Sequence, residues 1–229
     1  QEYTLDQAAV FLKDTDRNVR QEAWEAITAR RLEDKEKLDE LCKENKVRMN
    51  LVQGVRPPNI SLRDTTDVNW KNFYDLKSEY TILYFWDPEC GHCKKTTPKL
   101  QTLYEKKFKG RNVEIFSVGK ATGDDFEKWK KFIRDNKLTF INVGLTKKLF
   151  EEATADPRQF IPKYTTLEAL NYHETYDIYA TPRIFVLDKD KKIIAKQLTI
   201  SQLEDFIDRM QNVKDAEKLF PPDPEEEAH

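Results

Sequence analysis

No apolar run in this 229-residue sequence is longer than a single strand. The longest, TILYFW at residues 81–86, falls far short of the roughly 20 residues that a bilayer-crossing helix needs, so no membrane span is expected. Charge of one sign is also lacking. The 39 basic residues stand against 41 acidic ones, and the lysines are interspersed with acids. A formal net charge of −2 gives no field for drawing in a phosphate backbone, which argues against nucleic acid as a partner. Cysteine is scarce: three residues make no disulfide framework, only one close pair, Cys90 and Cys93, and a distant Cys42. Residues 5–45 have neither glycine nor proline. The amino terminus, QEYTLDQAAVF, lacks both the basic start and the apolar stretch of a signal peptide, and beginning at Gln1 suggests a processed or trimmed chain.

Where glycine and proline are missing, apolar residues recur at helical spacing. Leu5, Ala8, Ala9 and Leu12 form one stripe, Val19, Ala23, Ala26 and Ile27 a second, and Leu38, Leu41 and Cys42 continue a third. Asp14, Thr15 and Asp16 are plausible caps between them. The spacing predicts a helical extension over residues 1–53, ended by GVRPPN at residues 54–59.

Beyond that break, strands alternate with helices. Strands are expected at 81–86, 113–118 and 140–143, helices at 94–107 and 124–136, and an antiparallel hairpin at 183–187 and 193–197. A closing helix at 201–210 would be capped by Ser201 with Glu204 three residues on. This order predicts an α/β fold, a mixed sheet flanked by helices, occupying residues 54–212. Residues 146–177 are longer than a simple strand-to-strand connection requires. Their aromatics, Phe150, Phe160, Tyr164, Tyr172 and Tyr176, suit a helical insertion packed on the sheet. The polar, proline-rich residues 213–229 read as a disordered tail.

The motif WDPECGHC at residues 86–93 sits where a strand gives way to a helix. Unpaired N–H groups at a helix start stabilise a thiolate, which favours ionisation of Cys90. Helical geometry brings Cys93 back to the same face, near enough for a disulfide to form and reopen. His92, in its cationic form, would favour the Cys90 thiolate further, and Lys94 and Lys95 add positive charge. The alternatives are an inert disulfide, two buried thiols or a metal site. A closed zinc site needs four ligands, and no second Cys/His pair is present to complete it, so no metal is expected. A copper carrier using His173 as a distant ligand is the competing reading, a binding module without turnover.

WDPECGHC, Pro98 eight residues after Cys90, and ATP at residues 180–182 leading into RIFVLD together resemble the TlpA/ResA-like redoxins. These are thioredoxin-fold proteins of bacterial cell envelopes, notably lipoprotein-linked forms of Bacteroidetes. The resemblance covers about residues 54–210. It implies a thiol–disulfide oxidoreductase of the cell envelope or periplasm that acts on protein disulfides, as a reductase. Cys90 would be the attacking thiol, Cys93 the resolving one, and Pro182 a cis proline whose neighbour Thr181 offers backbone to an extended substrate. No cofactor beyond a redox-active Cys90–Cys93 disulfide is implied, and electrons would come from an upstream dithiol donor, a membrane reductase. Thioredoxins commonly carry a buried carboxylate six residues before the first cysteine, where this chain has Tyr84. Proton transfer then falls to Asp87, Glu89 or Glu114 as candidates. Trp86 reads as packing beneath the motif, with direct substrate contact as the alternative. Cys42 reads as a small buried apolar residue, and His229 as a terminal residue with no assigned role.

Residues 3–41 carry a second resemblance, to a helical segment that precedes the catalytic domain of oligoendopeptidase F-type metallopeptidases. The peptidase chemistry itself is missing. It needs His-Glu-x-x-His on one helical turn, and His173-Glu174 is followed by Thr175, Tyr176 and Asp177.

Overall fold

The computed structural model describes residues 21–25, 28, 35–37, 39 and 47–222. The chain divides into two compact units, Gln1–Met49 and Asn50–His229, a boundary slightly before the glycine- and proline-containing break at residues 54–59. Within the first unit the described residues 21–25 and 35–37 are helical. The expected caps at Asp14, Thr15 and Asp16, together with Cys42 and His229, lie outside the described residues.

The second unit is built on a seven-stranded sheet. In chain order its strands are β1 (Ser61–Asp64), β2 (Trp70–Asn72), β3 (Tyr80–Trp86), β4 (Val113–Gly119), β5 (Ile141–Gly144), β6 (Arg183–Leu187) and β7 (Ile193–Lys196). They lie side by side as β2-β1-β5-β4-β3-β6-β7. The centre is parallel, β3 with β4 and β4 with β5, and both flanks are antiparallel. β3 is buried along its whole length, which explains why its sequence is an unbroken apolar and aromatic run with no polar alternation. Successive side chains still part to opposite faces. Ile82, Tyr84 and Trp86 enter a core with Cys93, Leu100, Trp129, Leu203 and Ile207. Phe85, on the other face, meets Tyr176 at 5.0 Å and Tyr172 at 5.9 Å between ring centroids.

The helices are α1 (Gly91–Leu103), α2 (Asp125–Asp135), α3 (Lys147–Ala155), α4 (Leu167–Leu170), α5 (Tyr172–Thr175) and α6 (Ile200–Met210). α1 gives way after Leu103 to a wider π turn, Tyr104–Phe108, where a single α-helix had been expected to run to residue 107. Two close approaches fix the sheet against α2. A side chain on Gly119 would put a Cβ 2.1 Å from Trp129 Nε1, and one on Gly144 would come 2.7 Å from the Ala121 Cβ.

Three expectations are corrected. The β1–β2 hairpin was not anticipated, since three- and four-residue strands leave too short a pattern to read. The closing helix is capped by Thr199, whose hydroxyl accepts from the Gln202 amide while the Gln202 side chain accepts from the Thr199 amide. Ser201 and Glu204, the expected cap pair, are instead buried. The third concerns the tail, expected to be free from residue 213. Glu204 accepts hydrogen bonds from the backbone of Leu219 (2.9 Å) and Phe220 (3.2 Å), whose side chains pack on the core. The carboxylate of Glu204 also pairs with Lys107, which reaches Asp208 at 3.1 Å, and Arg111 adds a 2.6 Å bond to Asp208. A buried carboxylate with that many donors is satisfied only if the chain returns to it, which is why residues 219 and 220 are held. In the insertion, Tyr172 and Tyr176 are core residues as expected, but Phe150 is exposed, and Tyr164 stacks on Trp70 at 5.6 Å instead of entering the sheet core.

Candidate active site

Cys90 is the N-cap of α1, in extended conformation, directly after β3 ends at Trp86. Its amide bonds the Asp87 carbonyl at 3.1 Å, and its own carbonyl takes the Lys94 amide at 3.0 Å, so the loop 87–90 is short and pinned at both ends. The first N–H groups of α1 have no intrahelical acceptor and point towards the cap. Cys90 Sγ donates to the Thr181 carbonyl at 3.2 Å, across the peptide that precedes Pro182. That Thr181–Pro182 peptide is cis.

The two thiols are free and live in different surroundings. Cys90 is partly exposed; burial works against its ionisation but is outweighed by hydrogen bonds from the Cys93 amide, the Thr181 and Cys93 side chains and the His92 amide, so its pKa is lowered. Cys93 is fully buried, and burial pushes its thiol up to about 12 despite hydrogen bonds with the Thr181 side chain and the Asp87 backbone. One sulfur is thus poised as a nucleophile at the surface, and the other is kept protonated behind it.

The remaining candidates separate on position. His92 is exposed and lines a groove of about 580 Å³ with Thr181, Pro182 and Arg183. The far wall of the groove is Gln197, Leu198, Thr199 and Ile200, at the β7–α6 corner. Sequence reading gave no hint of this wall, because a corner after an edge strand has no periodicity to betray it. Trp86 is 1% exposed, and its indole N–H donates to Ser117 Oγ at 2.6 Å, so it packs beneath the motif. Tyr84, at the position where a carboxylate was looked for, is also buried and shares a 2.8 Å hydrogen bond with Thr97 in α1. Glu114 is removed from the site. It stands opposite Thr81 at the start of β4 and accepts from the Tyr104 hydroxyl at 2.9 Å, whereas the dithiol lies past the other end of β3, where Trp86 pairs with Gly119. Glu89 is half-exposed and pairs with Lys94 at 3.9 Å and Lys128 at 3.4 Å. Asp87 is brought nearest by its backbone bond to Cys93; its carboxylate caps the Glu89 amide at 2.7 Å and faces Lys120 at 3.5 Å. His173 stacks on Tyr172 at 4.3 Å in the insertion, and among the described residues no three His, Cys, Asp or Glu side chains gather as a metal site.

The family model described as thioredoxin-like matches residues 78–193. The chain belongs to the thioredoxin-like family. Two solved structures share the fold and much of the sequence. A domain of a "possible thiol-disulfide isomerase" from Cytophaga hutchinsonii is 34% identical, with 70% of this chain and 94% of that one covered and a TM-score of 0.54. The thioredoxin domain of a thiol-disulfide oxidoreductase from Bacteroides vulgatus is 26% identical, with 69% and 97% covered and a TM-score of 0.55. Among curated proteins, the thiol-disulfide oxidoreductase ResA of Bacillus cereus is 28% identical over 163 residues, 69% of this chain and 78% of that protein. The thioredoxin-like match starts just before β3 and ends at β7, so it takes in the dithiol, the cis proline and the strands that join them. The likeness to the TlpA/ResA-like redoxins expected from WDPECGHC and ATP is therefore met in fold and in sequence.

Proposed function

We propose that this thioredoxin-like protein is a thiol–disulfide oxidoreductase that reduces disulfides in partner proteins through a Cys90/Cys93 cycle. The observation that carries the reading is the contrast within the pair: an accessible Cys90 with its pKa lowered, and a buried Cys93 raised to about 12. The Cys90 thiolate attacks one sulfur of a partner disulfide. The partner's S–S bond breaks, its other sulfur leaves as a thiolate and takes up a proton, and a mixed disulfide joins Cys90 to the partner. Cys93 then gives up its proton and attacks Cys90 Sγ. The mixed disulfide breaks, the partner's second thiol is released, and two electrons have passed to the partner as the Cys90–Cys93 disulfide forms. The raised pKa keeps Cys93 from competing for the first attack and makes its deprotonation the step that needs help. Asp87, whose backbone touches Cys93, is the acid this reading assigns to that step. Partner chain lies along the groove beside Pro182, with Thr181 presenting backbone to it and His92 and Arg183 at its edge.

No cofactor takes part in this cycle. The oxidised pair is re-reduced by an upstream dithiol protein, a membrane reductase, and the setting is the cell envelope, a reading supported by the likeness to ResA-type relatives. No described helix is long and apolar enough to cross a membrane.

The test is reduction of insulin with dithiothreitol as the electron source. Wild-type protein is expected to accelerate it, and Cys90→Ser to abolish the acceleration; unchanged turnover in Cys90→Ser overturns the proposal. Equilibration of the couple in a dithiothreitol series tests the direction. A potential near thioredoxin's roughly −270 mV fits a reductase, and one near the roughly −120 mV of DsbA would mean an oxidant instead.

A further inference from the structure

Opposite the dithiol, where β3 begins and the β6–β7 turn closes, lies a cavity of about 600 Å³. Arg56, Lys77, Lys189, Lys191 and Lys192 all line it, against a single lining carboxylate, Asp190. Four of these cations are exposed, as solvated side chains normally are. Lys191 is only 3% exposed. Its Nζ makes one hydrogen bond, to Thr81 Oγ1 at 2.8 Å, and it forms no ion pair with any described carboxylate. An ammonium has three N–H donors, so two are left without a protein acceptor among the described residues. Thr81 cannot neutralise the charge, and its hydroxyl is already engaged with Ser78 Oγ at 2.8 Å.

Asp188, three residues before Lys191, does not resolve this. Asp188 Oδ1 is taken by the backbone amides of Asp190 and Lys192, at 2.9 Å each, which shapes the turn. Burial lowers the pKa of Lys191, Asp188 opposes that, and Lys77 and Arg56 add to the lowering. The backbone is unfavourable too. Lys191 has φ +62°, a left-handed conformation that glycine adopts freely and other L residues adopt at a cost. The turn by itself would be better served by glycine, so a buried, uncompensated cation and a strained backbone coincide at one residue. Arg56 is already held in place, its guanidinium 3.8 Å over the Tyr74 ring, whose hydroxyl is tied to the Pro57 carbonyl.

We propose that this cavity binds a multiply charged oxoanion, a phosphate-type group, with Lys191 as the inner contact and Arg56, Lys77, Lys189 and Lys192 as its rim. Such a group supplies both what Lys191 lacks: acceptors for its free donors and a counter-charge in a desolvated setting. The same chemistry is offered by a soluble phosphate compound and by an anionic lipid headgroup, and the test separates them.

The full chain is melted in inorganic phosphate and in pyrophosphate, each against sodium chloride of equal ionic strength, and is sedimented with phosphatidylglycerol or phosphatidylcholine vesicles. Binding to the folded state is expected to raise Tm by several degrees as ligand exceeds its Kd. Lys191→Met keeps the aliphatic stem, and Lys191→Gly suits the backbone; each is expected to weaken the response at least about tenfold. A Tm shift with soluble anion and no pelleting assigns the site to a free phosphate compound. Pelleting with phosphatidylglycerol alone, lost in Lys191→Met, assigns it to a headgroup. Equal responses in wild type and both variants, or no response to either probe, overturn the proposal.

Discussion

The two ends of β3 each hold a charge in a partly buried place, and they treat it in opposite ways. At the Trp86 end the charge is a thiolate, and backbone amides at the start of α1 answer it from within the fold. At the Tyr80 end it is the Lys191 ammonium, answered by one hydroxyl and surrounded by other cations. A third buried charge calibrates the pair. Lys107, side chain 12% exposed, is met by both Glu204 and Asp208, and its pKa is raised even though burial pulls it down. The lesson is that burial alone does not set the state of a charge; the partner does. Where the chain supplies the partner, the charge is structural or poised for chemistry. Where it does not, the partner comes from outside.

The sharpest break at the thiolate end is Cys90→Ser, expected to lower disulfide reduction by at least about a thousandfold while leaving the melting curve of the protein unchanged. Its counterpart, Cys93→Ser, keeps the attacking thiol and removes the resolving one. The mixed disulfide with a partner should then accumulate and be visible as a higher-mass band on a non-reducing gel; free turnover in this variant would mean that Cys93 does not resolve.

Removing Glu204 leaves Lys107 with Asp208 as its one remaining carboxylate partner among the described residues. Glu204→Ala should destabilise the protein by roughly 3–5 kcal/mol in a urea titration, and release residues 219 and 220 to protease. At the other end, Thr81→Val deletes the one acceptor of Lys191 Nζ among the described residues, and a loss of about 1–3 kcal/mol is expected. A much larger loss would show that the hydroxyl, and no external anion, is what makes the buried lysine tolerable.

The last effect is in pH. Alkylation of Cys90 by iodoacetamide should titrate below the range of an ordinary free thiol, because its folded pKa is lowered. Cys93 has the reverse sense. Its folded pKa is raised to about 12, so the unfolded chain binds fewer protons between about 8.5 and that value, and the reduced protein loses stability as pH rises through this window. Cys93→Ala should flatten that loss, measured as Tm against pH.

Much of this was legible in the order of residues. A strand without polar alternation, a cysteine at its end, a second cysteine one helical turn on, and Thr181-Pro182 before another strand are local patterns, and local geometry fixes what they become. The expected strands and main helices appear within a few residues of where periodicity put them. What the sequence left open was which residues become neighbours. Trp86 and Glu114 both sit on strands flanking the motif, and only pairing register tells that one lies under the site and the other at the far end of the sheet. Ser201 has the right spacing to Glu204 for a cap, but Glu204 is spent on Lys107 and on the returning chain. The spacing was right and the competition was invisible.

Sequence by itself determined the order of the main strands and helices and the dithiol motif, because both rest on patterns within a few residues. Tertiary structure alone decided the rest. It brought the Thr181 carbonyl to Cys90 across 91 positions and Lys191 to Thr81 across 110, and it chose which charges would find a partner. The physical reason is that desolvation and charge pairing depend on what surrounds a group in three dimensions, and chain order carries little of that information.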